Sequence, residues 1–357
     1  MNSARPLVTL KCKVGELDAL CNLRSETDAQ VRLMIELLDS VKPDGKLLPA
    51  LVHAALRVAE FGQTLWLDTT WLTSASPLAD QPGGVLEYLD NMIESELLEN
   101  YGCHAPELAG LVPVVSIDAS DDELRRVRLL VDHRERDVVI RIRRPVTPAQ
   151  ALVDRVRRIT QLTAPPDGRV HAVLDIGFVE AVRTEHINAV TKSTAVLSDL
   201  LGPGSTTVLA GSIPKNRTDY GTIERVRAEV MLWNTVRQSG TNDVGYGDYG
   251  VTHPKPPEAG ARARNPYPYL CYTVPRKTVV LRRKLETGDA PAKMFTDLVE
   301  ELVERTDFAG PDYSWGDHEL TQCRLTGGHA AGSVTKWVAM ATSHHLGHVS
   351  RRTAADL

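Results

Sequence analysis

The feature that most constrains this chain is alternation. Seven short runs rich in Val, Leu and Ile each give way to a longer stretch with apolar residues at helical spacing. The strand-like runs are 7–13, 31–38, 64–72, 111–118, 137–144, 170–177 and 206–214. Helical patterns follow near 15–23, 47–60, 84–99, 121–131, 148–159, 184–201 and 223–237. Strands alternating with helices predict a parallel sheet. An open doubly wound sheet and a closed barrel both satisfy the pattern. The count favours the barrel, with GYGDYGVTHPKP, residues 245–256, in the place of an eighth unit. The expected fold is α/β, a (β/α)8 TIM-barrel-like single domain over 1–357. Its βα units run to 244. A closing strand, a hairpin and C-terminal elements fill 245–357.

Ionisable residues recur late in the strand-like runs: Glu36, Asp68, Arg141 and Asp175, with Lys13 ending the first. Barrel sites gather at strand C-termini. Converging there, opposite charges keep one another ionised, and the pocket suits a phosphorylated or otherwise anionic ligand, or a carboxylate-bound cation. Each residue also reads as a solvated strand end or a structural ion pair. Ser212 ends the seventh run, and Glu229 lies in the helical pattern 223–237. In GDYGVTHP, Asp248 is a candidate base or metal ligand beside Tyr249, and His253 titrates near neutral pH. The plain alternative is a turn that Asp248 caps.

The C-terminal third has another rhythm. Residues 269–284 predict an antiparallel hairpin with a proline turn, and 290–306 a helix. SWGDHELTQCRLTGG, with Asp317, reads as a short strand between turns, and TKWVAMATSHHLGHVSRRT as a strand passing into a helix. His344 and His348 are four apart and share a face if helical, but no HExxH is present. A structural or ligand-bonding histidine is favoured over a metal site. The proline-rich run 254–268 predicts an exposed or mobile loop, and the arginine-rich stretch 134–158 a solvated face.

Composition narrows the class. Hydrophobic residues are 42% and charged residues 24%, as in soluble globular proteins, and the net charge of −5 argues against broad adhesion to nucleic acid. Five scattered cysteines without CxxC spacing fit a reducing cytosol. No apolar run approaches membrane-spanning length, and no signal pattern opens the chain, so a cytoplasmic protein without a membrane partner is expected. P-loop, GxGxxG, GxSxG and kinase signatures are absent.

Six pieces in order, LKCKVGELDAL, VRLMIELL, RAEVMLW, GYGDYGVTHP, YSWGDHEL and TKWVAMATSHHLGHV, together resemble the phage-type beta protein family. The resemblance spans nearly the whole chain through order and spacing; no single piece is a strong motif. It implies a single barrel-like domain, little established chemistry and a role in phage–host conflict. The matching positions are Lys13, Glu16, Glu36, Glu229, Asp248, Tyr249, His253, Asp317, His344 and His345. Thr342–Ser343 stands where the family has threonine–asparagine, which removes an amide at that position.

The leading expectation is a strand-end site combining Lys13, Glu36, Asp68 and Asp175 with Asp248, His253 and His345. As an enzyme the protein hydrolyses or transfers a group on a nucleotide or nucleic-acid-derived substrate. Asp248, His253, Glu36 and Asp175 are then the catalytic candidates, and Lys13 or Arg141 holds the anion. Glu16, Asp68, Ser212, Glu229, Tyr249, Asp317, His344 and His345 are the further ligand contacts. The rival readings are a binding or sensing module for a protein partner or small ligand, and a metal-dependent hydrolase. The sequence names no cofactor and no oligomeric state.

Overall fold

The computed structural model describes all residues except 1–4, 25–29, 101–109, 135, 146, 164–168, 217, 241–242, 257–266, 327–329 and 353–357. Most of the proline-rich 254–268 run therefore lies outside the described residues.

Eight parallel strands close into a barrel: β1 (Leu7–Lys11), β2 (Arg32–Glu36), β3 (Leu65–Asp68), β4 (Leu111–Ser116), β5 (Val138–Arg143), β6 (Val170–Phe178), β7 (Thr206–Gly211) and β9 (Gly245–Asp248). The last pairs with both β7 and β1. This is the (β/α)8 barrel that the alternation predicts, and the GYGD segment is its closing strand. The helices between strands are α1 (Val14–Cys21), α2 (Leu47–Glu60), α3 (Val85–Asn100), α4 (Asp121–Arg134), α5 (Ala149–Thr163), α6 (Thr184–Leu201) and α7 (Ala228–Gln238). Strand residues alternate between two cores. Leu7, Met34, Trp66, Val114, Val139, Val173 and Leu209 fill the barrel, whereas Val8, Leu33, Ile35, Leu67, Ile140 and Val208 pack outward under the helices.

Three C-terminal expectations are corrected. The helical pattern 223–237 is split: β8 (Gly221–Val226) is a strand, and the helix starts only at Ala228. Thr222, Glu224 and Val226 are exposed, and the alternate residues are half-buried. This period-two pattern fits its antiparallel pairing with β11 (Lys277–Arg282), which pairs in turn with β10 (Tyr269–Val274). The predicted hairpin is thus two-thirds of a three-stranded sheet whose edge strand leaves the chain before α7. SWGDHEL is α9 (Trp315–Leu325), not a strand, because Ser314 caps it by accepting the Asp317 amide at 3.1 Å. TKWVAMATSHHLGHVSR is helical throughout as α10 (Val334–Arg351), with Trp337, Met340, Ala341, His344, His345 and His348 buried at three-to-four spacing. The helix α8 (Pro291–Val303) completes the core of this region, where Phe295 and Trp337 rings stack 4.3 Å apart.

α10 joins the two parts. It packs on α1, α9 and β10. Glycine permits two of these approaches: a Cβ on Gly15 of α1 would lie 2.5 Å from the Thr335 carbonyl oxygen, and one on Gly316 of α9 2.0 Å from that of Met340. Among the described residues, no helix is long and apolar enough to cross a membrane.

Candidate functional site

Alternation along β1, β2, β3, β5 and β6 carries charged side chains to the C-terminal mouth of the barrel. Arg141 is at the centre, with its side chain fully buried. Its Nη2 lies 2.7 Å from Glu36 and 2.8 Å from Asp175, and its Nη1 donates to Asp68. Tyr249 Oη accepts from Arg141 at 2.6 Å and donates to Asp175 at 2.7 Å. Burial alone lowers the pKa of Arg141, but Tyr249 and the three carboxylates outweigh it and raise it well above the ordinary arginine value. The arginine is therefore a fixed cation.

Lys11 and Arg143 flank this hub. Lys11 Nζ lies 3.6 Å from Glu36 and donates to the His253 carbonyl at 2.8 Å. Arg143 reaches Asp68 at 3.3 Å and Asp175 at 3.7 Å, with its guanidinium 3.9 Å from the Trp71 ring centroid. Its side chain is 31% exposed, in contrast to Arg141. From Arg141 and Arg143 a cleft of about 680 Å³ runs outward between the segments following β3 and β4. Arg126 and the hydroxyl residues Thr69, Thr70, Ser116 and Ser120 line it, as do Asp118, Asp122 and Glu123. Buried polar atoms without a hydrogen-bond partner collect beside it: Arg143 Nε, Thr70 Oγ1 and Trp71 Nε1.

Several predicted residues lie elsewhere. Lys13 lies beyond the end of β1 as the N-cap of α1, half-buried, where burial lowers its pKa and Glu16 and Glu36 favour its charge. Lys11 is the lysine that pairs with Glu36. Glu16 is buried behind it, accepting the Lys11 amide at 3.2 Å, and burial raises its pKa. Ser212 is half-buried just beyond β7. His253 sits at the rim, its ring 5.3 Å from that of Phe178, with Nδ1 accepting the Lys255 amide at 3.0 Å.

Asp248 departs most from expectation. Gly247 aligns with inward Leu7, so Asp248 aligns with outward Val8 and faces away from the mouth. It accepts from Arg227 at 3.0 Å and from Tyr246 Oη at 2.6 Å, and faces His345 Nε2 at 3.0 Å. Burial pushes Asp248 up, but His345, Arg227 and Tyr246 outweigh it and hold it well below the usual carboxylate range. Arg227 Nε also donates to Glu229 at 3.1 Å. Through Thr273, bonded to His345 Nδ1 at 2.8 Å, this seam meets a second one. There His344 lies between Asp317, at 2.9 Å from Nδ1, and the Thr273 carbonyl, at 2.8 Å from Nε2. With both nitrogens engaged, His344 has no lone pair for a metal, and no cluster of three or more His, Cys, Asp or Glu suited to a metal occurs among the described residues. Where the family pattern has asparagine, Ser343 Oγ accepts the Gly316 amide at 3.0 Å. The predicted site is therefore two: Glu36, Asp68, Arg141, Asp175 and Tyr249 in the mouth, and Asp248, Glu229, Asp317, His344 and His345 in a buried seam outside it.

Sequence reasoning passed over Lys11, Arg143, Arg126, Arg227, Tyr246 and Thr273. The signal for Arg143 was present: it shares the Arg141 face of β5, so the 134–158 stretch is not uniformly a solvated face. Nothing in the sequence distinguished Lys11 from Lys13 once the strand was read two residues too long.

A family model described as Beta protein matches residues 7–351. No curated protein matches the chain. Among solved structures, a proline utilization A mutant from Bradyrhizobium japonicum matches with 13% identity over 69% of this chain and 26% of its own, at a TM-score of 0.38. A bifunctional proline utilization A protein matches with 12% identity over 96% of this chain and 32% of its own, at 0.38. The chain thus spans about a quarter to a third of the length of these two. The catalytic domain of a hyperthermophilic chitinase from Pyrococcus furiosus matches with 11% identity over 69% of this chain and 83% of its own, at 0.37.

Proposed function

The chain belongs to the Beta protein family, and from that premise we propose that its barrel mouth binds a phosphorylated small molecule of nucleotide type. The observation that carries this reading is one cleft of about 680 Å³ bordered by three guanidinium groups, Arg126, Arg141 and Arg143. Arg141 is held by Glu36, Asp68 and Asp175, which offset its charge, so it forms the fixed floor of the cleft. Arg143 is partly exposed, so its guanidinium has donors for a phosphate. Asp118, Asp122 and Glu123 on the same wall are acceptors for the hydroxyl and amino groups of a nucleoside.

Binding stands ahead of hydrolysis or group transfer. Asp248 faces away from the mouth, and Glu36 and Asp175 are engaged by Arg141. The family resemblance, not the geometry, supports placing the ligand in phage–host conflict.

Titration calorimetry with inorganic phosphate and a panel of nucleoside mono- and diphosphates tests the proposal. Phosphate-bearing ligands should bind and their nucleosides should not. Arg143→Met should weaken binding by roughly 10–100-fold, the loss of a charge-assisted contact. Equal binding of nucleosides and nucleotides, or an undiminished Arg143→Met variant, would remove the basis for the reading.

A further inference from the structure

At the end of the barrel opposite the mouth, one half-buried cation forms no ion pair among the described residues. Arg32, Trp66 and His171 align with the inward residues Leu7, Met34 and Val139, so all three point into the barrel near its N-terminal end. They stack across it. The Arg32 guanidinium lies 5.6 Å from the Trp66 ring centroid, and the Trp66 and His171 rings are 5.3 Å apart. The fully buried arginines are provided for differently. Arg136 reaches Asp90 at 2.8 Å, Arg141 reaches Glu36 at 2.7 Å and Arg227 reaches Asp248 at 3.0 Å. Arg32 has no such carboxylate, and its Nη1 is buried without a hydrogen-bond partner. Burying a charge without compensation is costly.

The carboxylate that acts on Arg32 is committed elsewhere. Asp137 accepts the Arg169 amide at 2.9 Å and faces His171 Nε2 at 3.1 Å. His171 is only 7% exposed, and its other nitrogen, Nδ1, is buried with no partner. Two further arginines add like charge. The Arg32 amide donates to the Pro6 carbonyl at 2.7 Å, which brings Arg5 close, and Arg169 stands beside Asp137. Both side chains are exposed. Burial lowers the pKa of Arg32, Asp137 opposes this, and Arg5 and Arg169 push the same way as burial. Three guanidinium groups thus act around one carboxylate that is already engaged.

We propose that this end of the barrel is a second anion site, where Arg32, Arg5 and Arg169 hold a dianionic phosphate group. The N-terminal face of such barrels ordinarily serves stability. Here it carries more positive charge than Asp137 offsets, and a dianion matches the excess. Arg32, held against Trp66, offers donors from inside the barrel, and Arg5 and Arg169 offer them from the rim. Forked guanidinium donors suit phosphate oxygens. The rim is exposed, so the group is either inorganic phosphate or the end of a larger phosphomonoester. The site stands at the opposite pole from Arg143 and does not rest on the reading of the cleft.

Calorimetry on Arg143→Met, whose cleft is weakened, isolates this site. Inorganic phosphate and glycerol phosphate are the titrants, in chloride at constant ionic strength. Both should bind; binding of the ester alone would assign the site to the end group of a larger molecule. Adding Arg32→Met should weaken binding by roughly tenfold or more, the loss of a charge-assisted contact. Arg5→Gln and Arg169→Gln, on exposed side chains, should each weaken it by less. Thermal melts separate this role from packing: phosphate should raise the midpoint of Arg143→Met and leave that of the double variant unmoved. Unchanged phosphate affinity on adding Arg32→Met, or no binding of either titrant to Arg143→Met, would overturn the proposal. Should Arg32→Met not fold, unchanged affinity in both Arg5→Gln and Arg169→Gln would overturn it instead.

Discussion

At the residue scale, Arg141 is the side chain on which the barrel interior depends. It is the fully buried cation shared by Glu36, Asp68 and Asp175, at shorter range than Arg143 or Lys11. Removing it leaves three carboxylates close together with only Lys11 and the partly exposed Arg143 to offset them. Arg141→Met should cost about 3–5 kcal/mol at pH 7, the range for stripping one partner from a buried pair. The sign of the pH dependence follows. Uncompensated buried carboxylates bind protons more readily in the folded than in the unfolded state, so the variant should regain stability as pH falls towards 5. Urea unfolding at the two pH values measures this, and a variant equally stable at both would show that Lys11 and Arg143 are enough to hold the carboxylates.

Asp248 gives the opposite sign. Its folded pKa is depressed by His345 and Arg227, so the stability it contributes is present above the ordinary carboxylate value, about 3.9, and is lost as pH falls below it towards the depressed value. Asp317 is depressed in the same direction: burial pushes it up, but His344, Ser314 and Tyr272 outweigh it. Asp248→Asn should therefore cost about 3–5 kcal/mol at pH 7. The gap from wild type should narrow in acid denaturation below about pH 4. A gap independent of pH would assign the loss to packing rather than charge.

At the scale of elements, the helix pairs around α10 depend on close backbone approach. Gly316→Ala drives a methyl into the Met340 carbonyl, and Gly15→Ala drives one into that of Thr335. Each should destabilise by about 1–3 kcal/mol through overpacking. Ser314→Ala removes the α9 cap and a 2.6 Å bond to Asp317, and should cost about 0.5–2 kcal/mol. Differential scanning calorimetry of the three variants ranks these contributions; an unchanged midpoint for Gly316→Ala would mean that α9 can move away freely. The elements also show what the sequence could tell. The helix 184–201 and the strand pattern 170–177 were legible because their apolar periodicity is carried by many residues. The split at Val226–Ala228 was not, because IERVRAEVMLW satisfies a helical period along its whole length. Only its distant partner β11 makes the first part a strand. SWGDHEL misled for the converse reason: its glycine suggested a turn, while the determining signal was a serine three residues before an aspartate.

At the scale of the whole molecule, the sequence located the barrel and its charged mouth but merged two sites into one. Glu36, Asp68, Arg141 and Asp175 could be placed because a strand's alternation says which residues share a face. Asp248 could not, because a one-residue change of register sends a side chain to the opposite face, and Gly245 and Gly247 before it have no side chains to reveal the phase. The seam of Asp248, His345, Thr273, His344 and Asp317 joins segments up to 97 residues apart, and no local pattern announces such a partnership.

The early departure of β8 also bears on synthesis. The strand is made before the barrel closes at β9, yet its sheet partner among the described residues, β11, begins at Lys277. A nascent chain that has just completed the closing strand carries an exposed strand edge until the hairpin is translated and docks. The barrel's last unit and the outer sheet must therefore mature together. A fragment ending before Tyr269 should be released with that edge open, and should aggregate where the full chain stays dispersed.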